Sequence, residues 1–206
     1  MIIEKKFTGK ESDSFTNSLK SLKLNKNLSV IVMEQIHGTK IFEIEDSTNM
    51  VIKGVDGCFT SNKNTVLSVK SADCLPILIS GKNNNTNFIA AAHAGRKGTD
   101  GEILYKLLNR LNDTYNFNIN TSLHIWFGPA ICQSCYQVDK QKDLHYDLIQ
   151  KNKNQLFRFL KENKISQNNL ELIIENRCTL HENDQFYSYR ASGPGVKMNY
   201  SLIVMN

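Results

Sequence analysis

The sequence has no apolar run approaching the roughly 20 residues that a membrane-spanning helix needs. Its first residues also lack the apolar core and small-residue cleavage site of a signal peptide. We therefore expect a cytoplasmic protein with no membrane partner. Internal repeats and proline-rich linkers are absent as well, with only three prolines in 206 residues. This favours a single domain over residues 1–206.

Several motifs of nucleotide chemistry are missing too. There is no Walker loop, no glycine-rich dinucleotide fingerprint and no H-x-E deaminase motif. The 25 basic residues outnumber the 20 acidic ones, but they are spread along the chain, so we expect no nucleic-acid partner. An anionic small substrate would explain some of these charges equally well.

The chain has five cysteines, an odd number, and no export signal. We interpret them as reduced thiols or metal ligands rather than disulfides. Cys74 lies in a short break between two apolar runs that predict strands, while His37 and His93 each end another such run. Two imidazoles and one thiol predict a zinc or copper site with one open position. Taken singly, each of the three is more typical of a core residue, and that alternative stays open.

Three basic side chains predict an anion-binding site. Arg96 and Lys97 come just before a predicted helix start, where free backbone N–H groups favour an anion. Thr99 and Glu102 have the spacing of a capping box at that start. Arg190 would add a bidentate clamp on phosphate or carboxylate. A solvated basic surface is the alternative interpretation of the same residues.

A second set of ligands has the spacing of a structural zinc site. Cys132 and Cys135 form one C-x-x-C pair, and Cys178 and His181 form a C-x-x-H pair. Such a site would be closed and would not be catalytic. The first pair would alternatively be a redox dithiol, although no thioredoxin-like context surrounds it.

Hydrophobic patterning predicts an α/β domain with a mixed sheet. The strands on either side of the His37 turn suit a hairpin or a strand–loop–strand unit. A helix after Thr99 would bury an apolar face made of Ile103, Leu104, Leu107, Leu108 and Leu111. Strands are predicted at 28–33, 40–44, 54–60, 65–69, 77–79, 88–95, 122–127 and 200–205. Further helices are predicted at 18–24 and 155–164. The pattern of residues 170–174 suits a strand or a helix equally well.

Short motifs over residues 30–205 resemble the YfiH family, also called the laccase-domain or polyphenol-oxidase-type family. The matching motifs, in the family's order, are Gln35-Ile36-His37-Gly38, Val55-Asp56-Gly57, Ala72-Asp73-Cys74-Leu75-Pro76, His93-Ala94-Gly95, Phe127-Gly128-Pro129-Ala130-Ile131, Cys135-Tyr136-Gln137-Val138, Cys178-Thr179 and Tyr187-Ser188-Tyr189-Arg190. The resemblance implies a single-domain four-layer sandwich, similar to cysteine-hydrolase toxins of the necrotizing-factor type. It also implies that His37, Cys74 and His93 are the metal ligands and catalytic residues.

The resemblance further implies a zinc or copper enzyme whose partners are a nucleoside and phosphate. The family's activities are phosphorolysis of adenosine, inosine and methylthioadenosine, and adenosine deamination. Candidate substrate-binding residues are Gln35, Arg96, Lys97 and Arg190, and Glu34 or Asp73 would move protons.

The chain departs from the family pattern at the anion clamp. Arg96-Lys97 replaces the usual Trp-Arg, Ala191 replaces a second arginine, and Gly195-Val196-Lys197 replaces Gly-Arg. Residues 1–27 are shortened relative to the family.

Three other functions remain open: a metal-free cysteine hydrolase with Cys74 as nucleophile and His93 as base, a phenol oxidase with a single copper, and an inert metal-binding protein.

Overall fold

The computed structural model describes residues 3–12, 14–20, 28–46 and 48–206. The strands are β1 (Ile3–Phe7), β2 (Ser29–Glu34), β3 (Ile41–Glu43), β4 (Met50–Lys53), β5 (Gly57–Thr60), β6 (Thr65–Ser71), β7 (Leu75–Asn83), β8 (Thr86–Ala94), β9 (Ser122–Phe127), β10 (Gln137–Asp139), β11 (Leu144–His145), β12 (Leu170–Ile174) and β13 (Asn199–Met205). The helices are α1 (Phe15–Lys20), α2 (Arg96–Asp100), α3 (Ile103–Tyr115), α4 (Leu148–Glu162) and α5 (Tyr189–Ser192).

Two mixed sheets form the centre of the fold. The five-stranded sheet has the order β1-β13-β6-β2-β4, and β2 runs parallel to both of its neighbours. The six-stranded sheet has the order β12-β9-β7-β8-β5-β3, with parallel pairs at its two edges and antiparallel pairs between. A separate antiparallel pair joins β10 to β11. The predicted α/β class with a mixed sheet is confirmed.

Apolar side chains on both faces of each sheet produce four layers. Neighbouring strand residues point to opposite faces, so Leu67 and Leu78 pack in the cluster between the sheets. Val66 packs instead in the cluster that Phe15 of α1 contacts, and Ile77 packs in the cluster shared with α3 and α4. The order is therefore helix, sheet, sheet, helices, as predicted for a four-layer sandwich.

Helix α3 buries the predicted face, but it does not begin with the predicted capping box. The side chain of Thr99 is buried within the short helix α2, where its hydroxyl accepts a hydrogen bond from the Asn152 amide of α4 at 3.0 Å. Glu102, in the left-handed region with φ of 66°, is the N-cap of α3 and makes no side-chain cap hydrogen bond. Thr99 therefore bonds to a residue of another helix, and this bond replaces the capping bond predicted within its own segment. The fully buried residues of α3 are Ile103, Leu104, Leu107, Leu108 and Leu111.

The predicted hairpin around His37 is wrong, and the strand–loop–strand alternative is correct. Strand β2 belongs to the five-stranded sheet and β3 to the six-stranded one. The loop between them therefore crosses from one sheet to the other, and it carries His37 at that crossing.

Two other elements are defined by the tertiary structure. Helix α4 begins at Leu148, earlier than predicted, because the Asp147 carboxylate accepts a hydrogen bond from the Gln150 N–H at 2.8 Å. The undecided stretch 170–174 is the parallel strand β12. Residues 21–24 of the helix predicted at 18–24 lie outside the described residues. Among the residues that the structure describes, no helix is both long and apolar enough to cross a membrane.

Candidate active site

His37, Cys74 and His93 converge at the shared end of the two sheets. His37 follows β2, Cys74 lies in the connection from β6 to β7, and His93 is near the end of β8. Their ligand atoms all lie within 4.8 Å of one another. The two imidazole rings meet edge to face, with centroids 4.8 Å apart. The connection at Cys74 also passes from the five-stranded to the six-stranded sheet, so ligands from both sheets meet at one point.

Gly95 makes this convergence sterically possible. A Cβ atom added there would lie 2.9 Å from the Cys74 Sγ and 3.0 Å from the His37 Cδ2. Both distances are shorter than van der Waals contact, so any larger residue would force the ligands to move. The glycine is needed for space, since its φ of −75° is open to any residue.

Asp56 holds two of the three ligands in place, and the sequence did not identify this role. Its buried carboxylate accepts backbone hydrogen bonds from Ile36, His37 and Gly38 at 3.2, 2.9 and 2.7 Å. It also pairs with the His93 Nδ1 at 2.9 Å. The three backbone bonds fix a turn in which His37 has a φ of 62°. The pair with Nδ1 leaves the Nε2 of His93 for a metal or a thiol.

The ionisation of the site follows from these contacts. Burial by itself would raise the pKa of Cys74, but hydrogen bonds with His37 and His93 outweigh it and lower that pKa to about 7. Burial would lower the pKa of His93, yet hydrogen bonds with Asp56 and Cys74 raise it to about 9. By contrast, burial alone raises the pKa of Cys58 to about 12. Cys74 is therefore a thiol that readily becomes the thiolate that a metal requires.

A cavity of about 900 Å³ opens over the three ligands. Its walls contain all four candidate substrate-binding residues, together with aromatic and apolar side chains. The lining residues are Gln35, Ile36, His37, Lys70, Ser71, Ala72, Asp73, Cys74, His93, Arg96, Lys97, Tyr136, Tyr189, Arg190 and Met198.

Arg190 is fixed in the cavity wall by the neighbouring backbone. Its guanidinium donates to the Gln137 carbonyl at 2.9 Å and lies 5.7 Å from the centre of the Tyr136 ring. The backbone N–H of Arg190 donates to the buried Asp73 carboxylate at 2.7 Å. The other oxygen of that carboxylate accepts from the Thr179 hydroxyl at 2.7 Å. Asp73 thus holds the wall together, and this role differs from the proton transfer considered from the sequence.

The remaining predicted residues differ in how freely they face the cavity. Arg96 and Lys97 are exposed, but they lie inside the first turn of α2 and not ahead of it. A helix of five residues adds little dipole, so any attraction for an anion comes from the side chains. The Gln35 amide is bonded to the Lys70 backbone at 2.8 and 3.0 Å and extends the pairing of β2 with β6. Glu34 does not line the cavity.

The other three histidines lie apart from this site. His124 pairs with Glu171 at 2.6 Å, and His145 bonds the Gln133 carbonyl at 3.0 Å. His181 belongs to the second predicted ligand set, whose members also converge. The described residues therefore provide this cavity with ligands for one ion and not for a multicopper cluster.

Comparison with known proteins shows which family the chain belongs to. A model of the family described as multi-copper polyphenol oxidoreductase laccase matches residues 12–206. The chain belongs to this laccase family. The laccase-family chain also resembles the crystal structure of the hypothetical protein YfiH of Bacillus licheniformis, with a TM-score of 0.72 and 23% identity over 86% of this chain and 74% of that one. The membership in the YfiH family predicted from the motifs is confirmed.

Two curated relatives of this laccase-family chain are named as enzymes. It is 33% identical over 116 residues to the purine nucleoside phosphorylase RC0672 of Rickettsia conorii. This match covers 56% of this chain and 45% of that protein. It is 27% identical over 145 residues to the adenosine deaminase RL5 of an unknown prokaryotic organism, over 62% of this chain and 53% of that protein. The chain thus matches about half of the length of each relative.

The triad of this laccase-family chain suits one zinc or copper ion. Two imidazoles and a thiol of lowered pKa are a donor set that both metals accept. Asp56 supplies the carboxylate partner that commonly orients a metal-binding histidine. Three protein ligands would leave a fourth position facing the cavity.

Proposed function

We propose that this chain is a metal-dependent enzyme of purine nucleosides. The main reaction would be phosphorolysis of adenosine, inosine and methylthioadenosine, with adenosine deamination as a second activity of the same cavity. The observation that carries the proposal is the convergence of His37, Cys74 and His93 in a cavity that Arg96, Lys97 and Arg190 also line. The names of the two relatives support the substrate class.

His37, Cys74 and His93 would hold zinc, or alternatively copper, and the ion would act as a Lewis acid toward water or phosphate. Gly95 keeps the three ligands close, and Asp56 orients the His93 ring and the His37 turn. In phosphorolysis a phosphate oxygen bonds to the sugar carbon while the carbon–nitrogen bond to the purine breaks. In deamination, water adds to the purine and ammonia leaves.

The cavity walls suit a phosphate and a purine together. Arg96, Lys97 and Arg190 provide positive charge, and a guanidinium held like that of Arg190 is suited to bidentate binding of phosphate. Tyr136 and Tyr189 provide aromatic surface against which a purine ring would pack. A volume of about 900 Å³ lies within the roughly 300–1,000 Å³ of typical ligand cavities.

The test combines metal quantification with phosphate-dependent release of base from inosine and adenosine. We expect His93→Ala to lose one equivalent of metal relative to the wild type and to release no hypoxanthine from inosine. The exposed His124, outside the cavity, provides the matched control: His124→Ala should keep both the metal and the activity. Inosine cleavage at an unchanged rate in His93→Ala would contradict the proposed site.

A second candidate function, a cysteine hydrolase, is favoured by one specific arrangement. Cys74, His93 and Asp56 form a thiol–imidazole–carboxylate series in which the carboxylate orients the imidazole. This mechanism needs no metal. Comparing the chelated and zinc-saturated protein separates the two candidates. Activity that survives chelation but is lost when Cys74 is alkylated would favour the hydrolase, and loss on chelation with recovery on zinc would favour the metal enzyme.

A further inference from the structure

A second group of ligands lies outside the cavity and takes no part in the proposed reaction. Cys132 and Cys135 belong to the loop after β9, and Cys178 and His181 follow β12. Although more than 40 residues separate the two pairs, their ligand atoms all lie within 4.8 Å of one another. Cys178 is buried, the other two cysteines are half-buried, and His181 is exposed.

The spacing of these atoms suits a tetrahedral metal. With zinc bonds of about 2.0–2.3 Å, tetrahedral ligand atoms lie roughly 3.4–3.8 Å apart. The Sγ of Cys135 lies 3.1 Å from the His181 Nε2, and the Sγ of Cys132 lies 4.0 Å from the His181 Nδ1. One nitrogen of the His181 ring and the three sulfurs all lie within 4.8 Å of one another. Movements of at most about 1 Å would therefore bring these four atoms to the spacing of a tetrahedral site.

The backbone already holds the two segments together. Ala130 and Cys178 form an isolated parallel bridge, and the N–H of Thr179 donates to the Ala130 carbonyl at 3.2 Å. The backbone N–H of Cys132 donates to the Cys178 Sγ at 3.3 Å. A bond of this kind stabilises a metal-bound thiolate. The ligands are thus positioned by the fold, so little further ordering would be needed to bind an ion.

We propose that Cys132, Cys135, Cys178 and His181 bind a second zinc ion in a closed, structural site. Four protein ligands leave no open position, which distinguishes this site from a catalytic one. A redox dithiol would need only the first two cysteines, whereas the fold brings a third sulfur and an imidazole to the same point. On binding zinc, the three thiols release their protons to solvent and become thiolate ligands.

The second zinc would fix one wall of the cavity. Tyr136 directly follows Cys135, and its backbone N–H donates to the Cys132 carbonyl at 3.0 Å. Its ring lies beside the Arg190 guanidinium. Removal of the second zinc should therefore loosen this wall and lower the thermal stability of the whole chain, whether or not the cavity is a nucleoside site.

The experiment measures zinc in the reduced, purified protein. We expect two zinc ions per chain in the wild type, one in His93→Ala and one in Cys135→Ser. Since even changes behind the ligands weaken metal binding about 10–100-fold, loss of the exposed ligand in His181→Ala should raise the Kd of the second zinc more than about 100-fold in chelator competition. His124→Ala, the matched exposed histidine, should keep both ions.

Cobalt(II) provides an independent readout. Filling the second site in His93→Ala should give the intense thiolate-to-cobalt absorption and tetrahedral visible bands of a three-thiolate site, and Cys135→Ser should weaken them. A wild type with a single zinc ion that His93→Ala removes would overturn the proposal. So would unchanged second-site affinity in both His181→Ala and Cys135→Ser, or a Cys132–Cys135 disulfide under reducing conditions. None of these outcomes would affect the metal proposed for the cavity.

Discussion

Replacing Asp56 by asparagine would keep the size of the side chain that supports the ligands while removing its charge and one acceptor oxygen. The wild-type carboxylate accepts four hydrogen bonds, three from the His37 turn and one from His93. An asparagine has one oxygen and an NH2 group, so about two of the four donors would face another donor in a buried site.

The expected magnitude follows from these unpaired groups. A buried donor without an acceptor costs about 1–3 kcal/mol, so two of them should destabilise Asp56→Asn by about 3 kcal/mol. For a chain of this size, that corresponds to a Tm lower by about 6–12 °C. Zinc affinity at the cavity should fall about 10–100-fold, because a carboxylate behind a metal-binding histidine typically contributes that much.

Urea denaturation of the reduced, metal-free protein gives the free energy of unfolding, and chelator competition gives the zinc Kd. The control is Asp113→Asn, the same chemical change at an exposed position of α3, which should alter stability by less than about 0.5 kcal/mol. If Asp56→Asn destabilised the chain by less than about 1 kcal/mol and bound zinc as tightly as the wild type, the supporting role of Asp56 would be refuted.

The pH dependence tests the same carboxylate. Burial would raise the pKa of Asp56, but its pair with His93 and its backbone hydrogen bonds lower that pKa below the ordinary value. A lowered carboxyl pKa contributes stability above the unfolded value of about 3.9, and this stability is lost as the pH falls through the folded pKa. The gap in stability between the wild type and Asp56→Asn should therefore shrink below about pH 4. Because Asp56 also raises the pKa of His93 to about 9, the gap should shrink again as the pH rises from the ordinary histidine value of about 6.5 through 9.

Three further predictions concern the ligands and the clamp. Gly95→Ala should destabilise the chain by about 1–3 kcal/mol through overpacking and weaken zinc binding, because the new methyl would push on Cys74 and His37; unchanged urea and chelator curves would contradict this. In the metal-free protein, iodoacetamide should alkylate Cys74 with a midpoint near pH 7, while Cys58 stays protected. Peptide mass spectrometry measures both, and a midpoint above pH 8 would be inconsistent with the imidazole contacts. Arg190→Lys should raise the KM for phosphate about 10-fold, with a smaller effect on kcat, because lysine lacks the bidentate fork; steady-state kinetics showing an unchanged KM would remove Arg190 from phosphate binding.

The sequence by itself predicted the elements and donors whose signals are local. The apolar face of α3 follows from helical spacing, and each of its five predicted residues is buried. The triad followed from side-chain chemistry at the ends of apolar runs and from the family motifs, and the structure brings His37, Cys74 and His93 within reach of one ion. The convergence itself depends on the two sheets, because the connections that carry His37 and Cys74 each pass from the five-stranded to the six-stranded sheet.

Only the tertiary structure decided which segments pair and which polar groups meet. The strands beside His37 join different sheets, because the pairing depends on partners distant in sequence. Thr99 bonds to Asn152 of another helix and so does not cap its own. Asp56 lies in the stretch 54–60 that was predicted as a strand, and its supporting role depends on donors in two other segments. Local patterns specify what a residue can do, whereas buried hydrogen bonds between distant segments determine what it does in the folded chain.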